Sequence, residues 1–199
     1  MRPCIPDSEF LARQRKTQEL VKAAGLDALI VHSNEADFAN VRYLSDYWPI
    51  FESAGVLVPA EGPLMLLIGP ESETFARSRT RIPEVRKLIE YREPAEPDYP
   101  GIAVSTFKGL FGEIMSREPK RIGLAGWAIL PLPVYLSLRQ TFPKAEIVKA
   151  DHVLFSQRAV KSENEILCLK ESFRLSELAL EAIRLRAKPG MTELHLAGI

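Results

Sequence analysis

The sequence predicts a three-layer α/β domain, with a mixed β-sheet flanked by helices, followed by one long helix near the carboxy terminus. Amphipathic helical patterns alternate with short apolar, β-branched runs as far as residue 155, an order of elements typical of α/β folds. Two of the runs, residues 54–59 and 63–69, are separated only by a short turn-forming segment, Ala60-Glu61-Gly62. This arrangement indicates a β-hairpin, so part of the sheet must be antiparallel.

The elements before and after the hairpin follow from local patterns. Residues 8–24 place apolar side chains at helical spacing, and Gly25 ends that helix. Residues 26–32 form an almost continuous apolar run, typical of a strand that is covered on both faces. Residues 71–79 predict a short helix, and the weak alternation over residues 85–92 predicts an edge strand.

A proline-rich loop over residues 93–101 precedes a helix predicted for residues 102–117. Residues 121–126 predict another short strand. The buried stripe of the helix is expected to consist of Val104, Phe107, Leu110, Phe111 and Ile114.

The last α/β elements are a helix over residues 131–142, with Val134, Leu136 and Leu138 on its apolar side, and a strand over residues 145–150. Asp151 is expected to cap a short turn as far as Phe155.

One long helix is predicted from residue 161 to residue 187, about seven turns in length. Ser162 and Glu165 form a capping-box pattern that fixes its start. This helix is longer than a small domain needs, so part of its apolar face is expected to contact either a missing domain of the protein or a second copy of this chain. The apolar stripe contains Ile166, Leu169, Phe173, Ser176, Leu180, Ile183 and Ala187.

Composition argues against several classes of function. The 26 basic and 26 acidic residues balance, so no overall positive field attracts nucleic acid or an anionic membrane. Cys4 and Cys168 have neither disulfide-framework nor metal-ligand spacing. No apolar run has the length of a signal peptide or a membrane span, and we therefore expect a cytoplasmic protein.

The histidines do not predict a metal site. His32, His152 and His195 are widely separated and lack neighbouring ligands, so each is interpreted as structural. The pair Asp151-His152 is explained by a helix cap, and neither a glycine-rich phosphate loop nor a nucleophile elbow occurs.

Four sequence blocks, taken together, resemble the amino-terminal region of the pita-bread metallohydrolases, which include Xaa-Pro aminopeptidase, prolidase and creatinase. These blocks are residues 25–31 (Gly-Leu-Asp-Ala-Leu-Ile-Val), 40–47 (Asn-Val-Arg-Tyr-Leu-Ser-Asp-Tyr), 158–166 (Arg-Ala-Val-Lys-Ser-Glu-Asn-Glu-Ile) and 188–193 (Lys-Pro-Gly-Met-Thr-Glu). Each block alone is weakly specific, but their order and spacing match the family.

The resemblance implies a domain organisation. Residues 1–155 would be a creatinase-like amino-terminal domain, residues 156–162 a linker, and residues 163–199 the first helix and start of a truncated catalytic domain. In the family, two Asp, one His and two Glu in the catalytic domain hold two divalent metal ions that activate a bridging water. We therefore expect this chain to be catalytically silent and metal-free, and the parent protein to use Mn, Co or Zn.

The substrate remains open at the level of sequence. Where the family block usually contains Tyr-Leu-Thr-Gly-Phe, this chain has Ser45 and Asp46 before Tyr47. Aspartate is tolerable at a turn position of this kind because it visits left-handed conformations more readily than most residues. Family members cleave Xaa-Pro peptides or carbon–nitrogen bonds of small amidino compounds, and the amino-terminal region does not discriminate between them.

The candidate functional residues form one cluster, because aromatic side chains with polar tips suit a contact surface. The resemblance implies that this segment lines the substrate pocket of a neighbouring subunit. Core packing is the alternative for Tyr43 and Phe51, whereas Arg42 and Trp48 favour the pocket because they are seldom fully buried. The cluster consists of Arg42, Tyr43, Tyr47, Trp48 and Phe51.

Three functions are compatible with the sequence. The first is a non-catalytic domain of an Xaa-Pro aminopeptidase or dipeptidase that contributes to oligomerisation and substrate access, with its own catalytic domain and a second copy of the chain as partners. The second is a binding or chaperone-like module of a family member without metal ligands. The third, a complete small α/β enzyme, is disfavoured by the abrupt end of the sequence after Gly198.

Overall fold

The computed structural model describes residues 2–50 and 52–199, and the chain divides into two compact units. One unit is Asp7–Ala159, and the other contains the residues up to Pro6 together with Val160–Ile199. The larger unit carries the whole β-sheet.

The sheet has six strands in the order β4-β3-β2-β1-β5-β6. β1 pairs with β2, and β2 with β3, in antiparallel fashion, whereas the β1–β5, β3–β4 and β5–β6 pairs are parallel. The hairpin and the mixed sheet predicted from the sequence are therefore confirmed. The strands are β1 (Ala28–Asn34), β2 (Ser53–Pro59), β3 (Met65–Ile68), β4 (Glu84–Lys87), β5 (Arg121–Ala125) and β6 (Glu146–Lys149).

Helices cover both faces of this sheet, as predicted for a three-layer fold. Alternate residues of β1 point to opposite faces, so Leu29 and Val31 join one buried cluster and Ala28 and Ile30 join the other. In the larger unit the helices are α1 (Asp7–Ala23), α2 (Ala39–Ser45), α3 (Glu73–Arg79), α4 (Phe107–Ile114), α5 (Leu132–Thr141) and α6 (Asp151–Ala159). Helices α1, α2, α3 and α6 contribute to the first cluster, and α4 and α5 to the second.

Three short 3₁₀ helices, Pro70–Ser72, Ile89–Tyr91 and Trp127–Ile129, connect these elements. The smaller unit contains α7 (Glu163–Arg186) and α8 (Glu193–Ala197). None of the described helices is both long enough and apolar enough to cross a membrane.

The helix expected over residues 102–117 is shorter than predicted. It begins at Phe107 because the Thr106 hydroxyl accepts a hydrogen bond from the Gly109 N–H, 3.2 Å away, and thereby caps the helix. Val104 therefore precedes the helix and is exposed. Leu136 on α5 was also wrongly assigned to the core: it is exposed, whereas Val134 and Leu138 are buried.

Helix α6 replaces the short turn predicted to end at Phe155, and it includes the first four residues of the segment predicted to be a linker. The prediction that Asp151 caps a turn was wrong. Its Oδ1 instead accepts hydrogen bonds from the backbone N–H groups of Gly126 (2.7 Å) and Trp127 (3.2 Å). The carboxylate thus fixes the chain where it leaves β5.

The long helix α7 is confirmed, with the Ser162–Glu165 capping box formed in both directions. None of its 24 residues is buried. Phe173, Leu180 and Leu185 are each about two-thirds exposed, at 68%, 67% and 68%.

Two glycines are expected to respond oppositely to alanine substitution. At Gly126, φ is +85° and an added Cβ would lie 2.5 Å from the backbone oxygen of His32, so Gly126→Ala should lower the free energy of unfolding by about 3 kcal/mol. At Gly112, an exposed position of α4 with open space around it, alanine should raise the free energy of unfolding by about 0.5–1 kcal/mol. Urea unfolding of both variants measures these effects, and equal losses at the two positions would contradict the structure.

Candidate functional site

The segment with the predicted functional residues begins on a helix rather than in a loop. Arg42 and Tyr43 belong to α2, which ends at Asp46. Asp46 has a φ of 62°, and its N–H donates to the Arg42 carbonyl. The aspartate therefore adopts the left-handed conformation anticipated for this position.

Tyr47 does not belong to an exposed surface. Its side chain is fully buried, and its hydroxyl lies 3.2 Å from Oε1 of Glu52. Burial, reinforced by the Glu52 carboxylate, raises the pKa of the Tyr47 hydroxyl. Tyr47 therefore packs in the core, whereas the sequence predicted it to belong to a contact surface.

Tyr43 faces α1. It is half-buried, and the guanidinium carbon of Arg13 lies 4.3 Å from the centroid of its ring. Arg13 also donates a hydrogen bond of 3.1 Å to the Tyr43 carbonyl. These contacts anchor α2 on α1 and agree with the core alternative for Tyr43. Phe51 lies outside the described residues.

Arg42 and Trp48 do come together. The guanidinium carbon of Arg42, which is exposed, lies 4.5 Å from the Trp48 ring centroid. The guanidinium of Arg79 lies on the same indole at 5.3 Å, and the Phe75 ring meets it edge-on at 6.0 Å. We name these four residues the arginine–tryptophan patch.

Phe75 and Arg79 were not among the residues predicted for a functional site. Their separation of four residues on α3 places them on one helical face, a signal that was present in the sequence. Contact of that face with Trp48 depends on the packing of α3 beside the segment after α2, which local patterns do not encode.

A second site is a cleft of about 470 Å³ at the edge of the sheet where β1 ends and β2 begins. We name it the acidic cleft because five glutamates contribute to its lining, against one arginine. Its titratable lining residues are His32, Glu35, Glu52, Glu90, Arg92, Glu93 and Glu96.

His32 is a fully buried side chain of this lining, and its ring centroid lies 5.9 Å from that of Tyr91. Among the described residues, neither of its ring nitrogens has a hydrogen-bond partner. Burial lowers the pKa of His32 to about 4. The nearby backbone of Ile129, which does not reach the ring with hydrogen-bond geometry, offsets only part of that effect. His32 is therefore neutral at physiological pH.

Tyr91 lies beneath His32 and is fully buried. Its hydroxyl occupies space that only a glycine on β2 leaves free, because a Cβ at Gly55 would clash with it. Glu90 accepts a hydrogen bond from the Ser137 hydroxyl at 2.5 Å through Oε1, whereas its Oε2 is buried and has no partner among the described residues.

Neither site contains a metal-binding arrangement. Over residues 2–50 and 52–199, no three His, Cys, Asp or Glu side chains are grouped in a way that could hold a metal ion. The described residues therefore offer no site for the two metal ions, which the resemblance assigns to the catalytic domain of the parent protein.

The comparisons with known proteins give one family. The sequence profile of the creatinase/prolidase N-terminal domain matches residues 13–160. No curated protein matches the chain significantly in sequence.

Solved structures show the same fold. The X-Pro aminopeptidase from Thermotoga maritima superposes with a TM-score of 0.68 at 21% identity over 93% of this chain and 46% of that one. The prolidase from Pyrococcus horikoshii gives 0.66 at 20% identity, with 94% and 46% covered. The N-terminal domain of the cytoplasmic peptidase PepQ from Mycobacterium tuberculosis gives 0.51 at 24% identity, with 73% and 97% covered. The chain thus spans about half the length of the first two enzymes.

The burial of His32 predicts a pH-dependent stability. Between its ordinary pKa of 6.5 and its folded-state value of about 4, the unfolded chain binds a proton at His32 that the folded chain does not. Acidification through this range therefore favours unfolding, by up to about 3 kcal/mol from this group alone.

Urea unfolding between neutral pH and pH about 4 measures the effect. The decrease in stability should be smaller in His32→Phe and unchanged in His152→Gln, which alters an exposed histidine of α6. A His32→Phe variant with the full pH dependence would show that His32 is not its source.

Proposed function

Because the chain belongs to the creatinase/prolidase N-terminal domain family, we propose that it is the non-catalytic amino-terminal domain of a metal-dependent Xaa-Pro aminopeptidase- or dipeptidase-like hydrolase. One observation carries the proposal: the family profile covers residues 13–160, almost the whole of the compact unit Asp7–Ala159. The proposed roles of this unit are oligomerisation and control of substrate access.

The chemistry of the parent protein would reside in its catalytic domain. There, a pair of divalent ions, Mn, Co or Zn, would supply an activated water for hydrolysis. Since the described residues here provide no cluster for such ions, this chain would contribute shape and contacts. A cytoplasmic location, the location given for the related PepQ peptidase, is part of the proposal.

The arginine–tryptophan patch supports a role in substrate access. Arg42 is exposed and stacks on Trp48, and this cation–π contact restricts the orientation of the indole. The indole face suits an apolar ring, and the two guanidinium groups suit a carboxylate. A short peptide substrate bound to a neighbouring subunit would offer both groups.

Helix α7 supports a role in assembly. Its exposed apolar side chains, such as Phe173 and Leu180, are the kind of surface that a further domain or subunit covers. Within α7, ion pairs such as Arg174–Glu171 and Arg184–Glu181, at 2.7 and 2.6 Å, lie on exposed positions and leave this apolar surface available.

The test of the function uses the complete natural protein that contains this chain. With added Mn²⁺, Co²⁺ or Zn²⁺ it should cleave Xaa-Pro dipeptides or longer Xaa-Pro peptides, and the 199-residue chain alone should not. Cleavage by the short chain would overturn the proposal. A complete protein that binds no divalent metal and cleaves no such peptide would instead favour a binding module.

The patch makes a separate prediction for that complete enzyme. Trp48→Ala and Arg42→Ala should each raise KM several-fold, on the order of 1 kcal/mol of lost binding, with kcat affected less. Steady-state kinetics on an Xaa-Pro substrate measures the change, and circular dichroism checks the fold.

Lys108→Ala is the matched control. It removes an exposed cation from α4, on the opposite face of the sheet, and should leave KM unchanged. Unchanged kinetics in both patch variants would exclude the patch from the substrate site.

A further inference from the structure

We propose that the acidic cleft of the unit Asp7–Ala159 binds a small organic molecule through a primary ammonium group. This site is separate from the arginine–tryptophan patch and from metal-dependent hydrolysis. Its volume of about 470 Å³ lies within the range of small-molecule sites in proteins.

The charge of the lining selects a cation. Among the described residues, the lining contains five glutamates and one permanently charged cation, Arg92. Arg92 forms an ion pair with Glu96 at 2.8 Å, which leaves an excess of four negative charges around His32 at neutral pH. A concave surface lined by one sign of charge concentrates ions of the opposite sign.

The buried polar atoms of the lining are further evidence for a ligand site, independent of the charge. Oε2 of Glu90 and both ring nitrogens of His32 have no hydrogen-bond partner among the described residues, and both side chains line the cleft. Buried polar atoms nearly always have partners, and an unsatisfied one costs about 1–3 kcal/mol. These atoms therefore indicate where a ligand would bind.

The unpartnered atoms also specify what the ligand must donate. A carboxylate oxygen only accepts hydrogen bonds, and a neutral imidazole offers one lone pair and one N–H. His32 is neutral at physiological pH, because its pKa is about 4. A primary ammonium has three N–H donors and no acceptor, and donors of this kind are what the Glu90 carboxylate and the lone pair of His32 require.

Other cations fit less well. A metal ion would need several converging ligands, and the described residues contain no such group. A quaternary ammonium is usually recognised by a cage of aromatic rings, whereas the lining that the described residues contribute to the cleft contains no Trp, Tyr or Phe. The proposed site should therefore distinguish between cations by their N–H donors and not by their charge alone.

Isothermal titration calorimetry on the 199-residue chain, at neutral pH and low ionic strength, tests the proposal with 1,4-diaminobutane as the probe. We expect saturable binding that weakens as salt is added. The bis(trimethylammonium) analogue of the same diamine, which carries the same two charges without N–H donors, should bind about tenfold more weakly or worse, because hydrogen bonds to charged groups are lost. Absence of diamine binding, or equal binding of this analogue, would overturn the proposal.

Variants locate the site. Glu90→Gln should weaken diamine binding about tenfold, and Glu93→Gln, which changes an exposed rim residue, should weaken it less while preserving the fold. Glu118→Gln, an exposed carboxylate that does not line the cleft, should have no effect. If diamine affinity is unchanged in both cleft variants, the ligand does not bind in this cleft.

A dipeptide, Ala-Ala, serves as a second probe and identifies the source of the ammonium group. Binding of Ala-Ala competitively with the diamine assigns a peptide amino terminus, and binding of the diamine alone assigns a free amine; both outcomes support an ammonium site. These measurements need neither the catalytic domain nor metal, so their failure would leave the peptidase proposal untouched.

Discussion

The burial of β1 on both faces, between an antiparallel neighbour and a parallel one, is the constraint on which the larger unit depends. Its side chains alternate between the two apolar clusters, so helices must cover both faces. Because β2 runs opposite to β1 and β5 runs with it, the end of β1, the start of β2 and the end of β5 meet at one edge. The connection that carries Arg42 and Trp48 begins and ends at that edge, and the acidic cleft opens there.

At that edge, tight packing coincides with buried polar atoms that have no hydrogen-bond partner among the described residues. Glycines at 55 and 126 allow Tyr91 and the backbone of His32 to approach more closely than any side chain would permit. The same close packing removes His32 and the Tyr91 hydroxyl from solvent and leaves them without partners among the described residues. Such an arrangement lowers stability locally. This concentration of unpaired atoms beside an acidic cleft supports the proposed binding role.

The smaller unit differs from the larger one because its long helix, α7, has no buried residue. The start of α7 is fixed locally by its capping box, and exposed ion pairs accompany its length, but none of its residues is buried. Phe173 and its apolar neighbours are exposed in this chain. The two units thus have complementary roles in the proposed function: one offers sites at a sheet edge, and the other offers an apolar helix for assembly.

The sequence by itself determined the mixed sheet, the hairpin after β2 and the capping box of α7, because hydrophobic period, turn chemistry and helix caps are local signals. The family followed from the resemblance of four sequence blocks. It did not determine that Tyr47 is buried while Trp48 is partly exposed, that α4 begins as late as Phe107, or that Asp151 bonds to the turn after β5. Nor did the sequence predict the acidic cleft, because its lining comes from four separate stretches of the chain. Only strand order and helix packing bring those stretches together, and these depend on long-range contacts that no local pattern encodes.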